Sequence, residues 1–315
     1  MIHIQAPGKV VVWGEYAVLA GATAGVLAID RMATVALEPE TPFWSFTSSG
    51  FQSPGHFSHR NRFSITPAAA LANAVLQGMG YDTYPAPFHL HTDTAGFYHT
   101  KASQKLGLGS SAAACVATMQ AFAQWLQPHK PLNWEDAHLI HQAFQGGTGS
   151  GLDIAASWHG GLIHYTMEQP AAPSSTFSRN WPEPLAWGLV WTGASTQTPA
   201  AIKRFSAWRA ESNTESLDQL VICSDRLAES FTLENVENYV RALKAFDAAA
   251  QQNIYTAAHQ AIEDLAQQHG LVYKPCGAGG GDIGMVFAEN TNLLAFREAL
   301  TATPYQWLNS SIANL

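Results

Sequence analysis

The sequence predicts an α+β protein of two lobes, and three observations carry that expectation. The chain has 315 residues, 47% of them hydrophobic and 13% charged, enough apolar material for two cores. Its first 37 residues alternate short β-branched runs with turn residues, while much of the remainder reads as helices separated by single strands. The stretch "EQPAAPSSTFSRNWPEP", residues 168–184, is broken repeatedly by proline and has no clear periodicity, which marks a lobe boundary. The expected lobes are residues 1–170 and 171–315.

Taken in order, "VVVW" and "TVAL" are strands, and "AVLAGATAGVLAI" between them reads as a loop with a short helix. Residues 38–64, rich in proline, serine, glycine and aromatics, suit a surface hairpin or long loop, of the kind that acts as a lid. "TPAAALANAVLQG" is a helix that Thr66 can cap, with Pro67 in the first turn where its missing N–H does no harm. "FHLHTDT" alternates like a strand, so His89 and His91 read as packed or solvated side chains rather than metal ligands. In "KLGLGSSAAACVATMQAF" the apolar Cys115, Met119, Phe122 and then Leu126 recur at three- and four-residue steps, predicting a helix with one buried face. "NWEDAHLIHQAFQGG" is a helix capped by Asn133 and closed by glycines, and "GSGLDIAASWHGGLIHY" reads as turn, short helix and strand. The second lobe opens on the strand "LAWGLVWTG". Helices follow at about 216–230, 233–250 and 254–269, and the glycine turn "PCGAGGGDIGMVF" runs into a last strand.

Composition excludes several classes. A net charge of −8 argues against a nucleic-acid partner. Cys115, Cys223 and Cys276 lie too far apart in sequence for redox or zinc spacing, so neither a disulfide framework nor a zinc site is expected. The first residues hold no basic segment leading into an apolar one, and no apolar run approaches about 18 residues. A cytoplasmic protein, neither secreted nor membrane-spanning, is the expectation.

Three glycine clusters point to chemistry. In the first, Gly107 and Gly109 let the backbone curl tightly ahead of a helix that begins near Ser110. The first N–H groups of a helix lack internal partners and carry about half a positive charge, so they hold an anion such as phosphate. Ser110 or Ser111 offers a hydroxyl to a phosphate oxygen or to magnesium. A plain glycine turn with serine caps has the same appearance in helices that bind nothing. Neither the Walker pattern nor a dinucleotide-type G-x-G-x-x-G after a strand is present. In the second cluster, "GGTGSGLDIAAS", Asp153 either favours the helix dipole or orients or deprotonates an acceptor. The third packs five glycines into the eight residues from Gly277 to Gly284, denser than a hairpin tip needs, which favours close approach of backbone to ligand or of one lobe to the other. Lys9, set between Gly8 and "VVVW", is in an unlikely place for a merely solvated charge.

These clusters, following "APGKVVVWGEYAVLAG", resemble the GHMP kinase superfamily of small-molecule kinases over nearly the whole chain. Within it "GEYAVL", Lys105 leading into "GLGSSAA", "GSGLDIAAS", "WTGAST" and "GAGGGD" are most similar to phosphomevalonate kinases, whereas mevalonate kinases more often show a histidine where Tyr16 stands. The resemblance implies a ribosomal-S5-like first lobe with a left-handed βαβ crossover and a ferredoxin-like second lobe. It implies ATP and magnesium as cofactors, with Lys105, Gly107, Leu108, Gly109, Ser110, Ser111 and Ala112 on the nucleotide phosphates and Ser111 facing the metal. Lys9 and Asp153 are the implied catalytic pair. The acceptor, a small phosphorylated or hydroxy acid, is expected near Glu15, Tyr16, Ser150, Gly151, Ser195, Thr196, Lys203, Gly277, Ala278, Gly279, Gly280 and Asp282.

A phosphate acceptor, with a second pKa of about 6, is already dianionic and requires neutralising cations more than a base. Lys9, Lys101, Lys105 and Lys203 are the candidates, with Arg204 beside Lys203 on what reads as a loop; a solvated surface charge is the plain alternative for Lys101 and Lys203. One departure stands out. Where mevalonate kinases place a magnesium-binding glutamate, eleven residues before the aspartate, this chain has Gln142 flanked by His141. The expected activity is ATP-dependent phosphorylation of (R)-5-phosphomevalonate by a monomer or homodimer. Mevalonate kinase, another GHMP kinase acting on homoserine or a sugar, and an inactive ligand sensor are the alternatives.

Overall fold

The computed structural model describes residues 1–50, 55–99, 104–147, 149–167, 175–195, 198–211, 214–289 and 293–315. β1 (Ile2–Trp13) and the 17-residue β2 (Thr23–Pro39) form an antiparallel pair, joined through a short 3-10 turn at Ala17–Ala20. The strand, short helix and strand expected over residues 2–37 are all present. β1 lies along one edge of β2, while β5 (Phe88–Asp93) and β6 (Leu162–Thr166) share the other edge, pairing with its C-terminal and N-terminal halves. β3 (Trp44–Ser49) and β4 (His56–Ser58) make the expected hairpin, and β3 runs parallel to β5 with α1 (Pro67–Gly78) in the connection. β7 (Ser175–Arg179) pairs with β6 and completes a seven-stranded sheet. The first sheet therefore continues past residue 170, and it is met again by the C-terminal residues, where Ile312 bridges Ile29.

The helix predicted after the first glycine cluster is α2 (Ser110–Leu126), and its environment differs from the expectation of a single buried face. Ala112 through Met119 are all buried, whichever way they point. The reason is size. Ala112, Ala113, Ala114, Ala117 and Ala121 let α1, α3 (Trp134–Phe144), α4 (Leu152–His159) and the sheet approach α2 from several sides, so it becomes the axis of the first lobe. α3 starts as predicted, with the Asn133 side chain accepting the Asp136 N–H at 2.7 Å. The Thr66 hydroxyl instead bonds Ser64, and α1 begins without a side-chain cap.

In the second lobe β8 (Leu185–Trp191), β9 (Val272–Pro275), β10 (Ile283–Glu289) and β11 (Gln306–Leu308) form an antiparallel sheet in the order β11-β8-β10-β9. α6 (Glu215–Glu229), α7 (Leu233–Ala250) and α8 (Ala257–Gln268) fall where the periodicity placed them, and α9 (Leu293–Leu300) precedes β11. α5 (Thr198–Glu211) corrects the sequence reading, since Lys203 and Arg204 stand on a helix rather than a loop. Its Ala201 and Phe205 are buried while Lys203 and Arg204 are exposed, an amphipathic pattern too short in "AAIKRF" to be read alone. The mixed α+β, two-lobed architecture is as expected. The two lobes share one core, because α6 packs on β2, where the Asp225 carboxylate accepts the Thr23 N–H at 2.9 Å and the Ser224 hydroxyl donates to the Thr23 carbonyl at 2.8 Å.

His89 and His91 are packed on the sheet, bonded to Ser45 and Thr47 at 2.6 and 2.9 Å. Cys115, Cys223 and Cys276 are free thiols. Among the described residues no helix is long and apolar enough to cross a membrane.

Candidate active site

The site begins with a proline in a strand. Pro7 has no N–H for a ladder and sits on β1, at the edge of the sheet, where the register against β2 slips between Pro7 and Gly8. Past the slip, the Lys9 N–H donates to the Leu108 carbonyl at 2.9 Å, tying β1 to the loop ahead of α2. Gly8 is required there, because a Cβ would lie 2.7 Å from the Leu108 oxygen. Gly109, at φ 81°, is the N-cap residue of α2 and has no side chain with which to cap the helix's first N–H groups. A Cβ on Gly109 would come within 3.1 Å of the Lys9 Cγ, so the lysine stem lies directly over this glycine. α4 repeats the device: Gly151, at φ 84°, precedes it without a side-chain cap, and Asp153 sits in its first turn. The ring of His138 fills the space a Gly151 side chain would take.

The third glycine cluster reaches these turns from the second lobe. The Asp282 side chain packs against Gly107, leaving no room for a Cβ there. The Asp282 N–H donates to the Ala194 carbonyl at 2.6 Å, and the Tyr16 phenol donates to the Ala278 carbonyl at 2.8 Å. Burial pushes the Tyr16 phenol well above its ordinary range, so it serves as a neutral donor.

These turns open on one cleft of about 840 Å³. Of the residues expected at the site, Lys9, Glu15, Tyr16, Lys105, Gly107, Leu108, Gly109, Ser110, Ser111, Ser150, Gly151, Asp153, Ser195, Gly277, Ala278 and Asp282 line it, as does Gln142. Four do not. Ala112 is fully buried beneath the α2 start, Gly279 is pressed against Ile254, Gly280 donates its N–H to the Ile254 carbonyl at 3.1 Å, and Lys203 is exposed on α5. Thr196 and Lys101 lie outside the described residues.

Glu15 lines the cleft, but its carboxylate is already engaged. It pairs with the Lys274 ammonium at 2.5 Å, accepts the Tyr239 hydroxyl at 2.6 Å and receives the Gly277 N–H at 3.3 Å. Complete burial pushes the Lys274 ammonium down, and the Cys276 sulfur and Glu15 more than offset this, so Lys274 titrates above its ordinary range. Burial also pushes the Cys276 thiol up to about 11, which leaves Glu15 as the counter-ion at neutral pH. Lys274 was not singled out in the sequence, although "VYKPCG" sets a lysine in an apolar strand beside a glycine cluster, the same signal that drew attention to Lys9.

His259 supports the third cluster from behind. Its Nε2 donates to the Gly281 carbonyl at 3.1 Å and its Nδ1 accepts from the Tyr273 hydroxyl at 2.7 Å, an arrangement that needs the neutral ring. Burial lowers its pKa from about 6.5 to about 4. The unfolded chain binds this proton more tightly, so the stabilisation is complete above about pH 6.5 and is lost as pH falls toward 4. We expect the wild type to lose about 2 kcal/mol more unfolding free energy between pH 7 and pH 5 than a His259→Gln variant, as read from urea titrations. Parallel losses in the two proteins would contradict this.

Magnesium would find limited carboxylate here. Among the described residues the acids of the cleft are Asp153, Asp282 and the paired Glu15. Among the described residues no three His, Cys, Asp or Glu side chains gather as a metal site. The arrangement therefore fits a metal held chiefly by nucleotide phosphates, with Ser111 adding a hydroxyl.

Known proteins resemble this chain over most of its length. Residues 68–161 match the GHMP kinases N terminal domain. The chain is 28% identical to a phosphomevalonate kinase of Streptomyces sp. strain CL190, over 90% of this chain and 89% of that protein. It is 26% identical to a phosphomevalonate kinase of Saccharolobus solfataricus, over 95% and 93% of the two chains. The Streptococcus pneumoniae phosphomevalonate kinase in complex with phosphomevalonate and AMPPNP has the same fold, with a TM-score of 0.79 at 18% identity over 99% of this chain and 100% of that one.

Proposed function

We propose that this chain, a phosphotransferase with a GHMP kinase N-terminal domain, transfers the terminal phosphoryl group of ATP to the phosphate of (R)-5-phosphomevalonate. One observation carries the reading: the Lys9 side chain lies over Gly109, at the uncapped start of α2, on the wall of a cleft that also holds Asp153 and the third glycine cluster. An ammonium beside a helix N-terminus suits the approach of two polyanions, whose repulsion otherwise keeps phosphorus and oxygen beyond the near-attack distance of about 3.5 Å.

The chain's own groups divide the work. The N–H groups opening α2 bind the nucleotide phosphates, and the hydroxyl of Ser111 is available to the metal they carry. Magnesium, when bound with the nucleotide, neutralises phosphate charge and polarises the transferring group. Lys9 stands between donor and acceptor, and the exposed Lys105 adds positive charge at the rim of the same cleft. An acceptor phosphate oxygen then bonds to the terminal phosphorus as the bond to the bridging oxygen breaks and ADP leaves; the dianion needs no base. Asp153, whose carboxylate accepts the Ile154 N–H at 3.1 Å, is assigned to orient the acceptor.

The test is ADP release measured by a coupled assay over mevalonate, phosphomevalonate, homoserine and galactose. Phosphomevalonate is expected to give the highest kcat/KM, and a preference for mevalonate would overturn the assignment. Asp153→Asn provides an independent check. With a phosphate acceptor its kcat is expected to fall about tenfold or less, whereas a loss of about a hundredfold or more would indicate base catalysis on an alcohol.

A further inference from the structure

The face that α3 turns toward the cleft carries His138, His141 and Gln142, with Gln145 just past its end, and no carboxylate. His141 is 2% exposed, and its Nε2 lies 3.2 Å from the Ser111 Oγ, in the first turn of α2. Ser111 does not cap its own helix. The neighbouring Ser110 lies beside the Tyr98 phenol. The direction of the Ser111 hydroxyl is thus set from another element, by a buried ring. Such a ring fixes a hydroxyl that would otherwise turn freely.

Building on the nucleotide site described above, we propose that His141 is a positioning residue for Ser111. With its proton on Nδ1, the imidazole accepts the Ser111 O–H at Nε2, and both oxygen lone pairs of Ser111 then face the cleft. That is the orientation in which a hydroxyl approaches a divalent cation carried by phosphates. A correctly turned neutral ligand offsets part of what the neutral amide of Gln142 does not supply. The ring touches neither substrate nor metal; it acts through Ser111, as partners behind a metal ligand do.

The experiment titrates Mg²⁺ into the intact protein with the non-hydrolysable analogue AMPPNP and follows binding by calorimetry, alongside thermal melts. His141→Leu is expected to weaken the Mg²⁺-dependent part of AMPPNP binding about tenfold, leaving Mg²⁺-free AMPPNP binding and Tm near wild type. Ser111→Ala should lose a similar factor, and the double variant no more than either single one, since both remove the same interaction. His141→Gln, whose amide oxygen can accept the same hydroxyl, should recover most of the loss. Losses that multiply in the double variant, or an equal fall without Mg²⁺, would overturn the assignment. A variant-free readout guards against misfolding: ¹⁵N shifts of the His141 ring must report the Nδ1–H tautomer, and the Nε2–H tautomer sinks the proposal. Turnover of a different acceptor would overturn the proposed function and leave the role of His141 standing.

Discussion

Replacing Lys9 with methionine is expected to lower kcat by about a thousandfold while the protein keeps its melting temperature. Methionine retains the stem that lies over Gly109 and removes the ammonium, and the backbone bond from residue 9 to Leu108 is untouched. The Lys9 side chain is half-buried, and among the described residues its ammonium makes no hydrogen bond or ion pair, so folding places little demand on its charge. The reaction places a large one, because charge must be balanced where two phosphates meet and the cleft's other described lysine, Lys105, is at the exposed rim. Coupled ADP release and a circular-dichroism melt on the same preparation check both halves. Activity within about threefold of wild type, in a folded variant, would remove the main support for a phosphate acceptor.

The second large effect concerns stability. Lys274→Met is expected to lower the unfolding free energy by about 3–5 kcal/mol, since it leaves the Glu15 carboxylate buried without its counter-ion. Both side chains are 0% exposed, and Glu15 also holds the Gly277 N–H, so the loss is expected to loosen the third glycine cluster from the first motif. The double variant Glu15→Leu, Lys274→Met should recover a good part of that loss, because replacing a whole buried pair by apolar groups is far less costly than breaking it. Tyr239 would still accept the Gly14 N–H, recorded at 2.8 Å, after losing its carboxylate partner. Chemical denaturation of the three proteins decides the matter: a single-variant loss below about 1 kcal/mol would mean that Glu15 finds water instead.

The two glycine clusters of the first lobe were legible because their cause is local. Gly107, Gly109 and Gly151 adopt positive φ where helices begin, and a helix start exposes its N–H groups whatever surrounds it. The paired helices α6 and α7 were legible for a similar reason, since their apolar periodicity is written within about five turns of chain. α2 was read as a helix but not as a central one. Alanines mark a helix without saying how many neighbours will use their small size.

By itself, then, the sequence determined the glycine turns at the helix starts and most of the element order, though not α5, β7, α9 or β11. Only the tertiary structure decided which groups are spent on holding the lobes together. Glu15 and Lys274 are 259 residues apart, Tyr16 and Ala278 are 262 apart, and His141 meets Ser111 across 30. A carboxylate in a motif looks the same whether it awaits a ligand or pairs with a buried ammonium. Burial and partner distance distinguish the two, and both arise when distant segments pack and water is excluded.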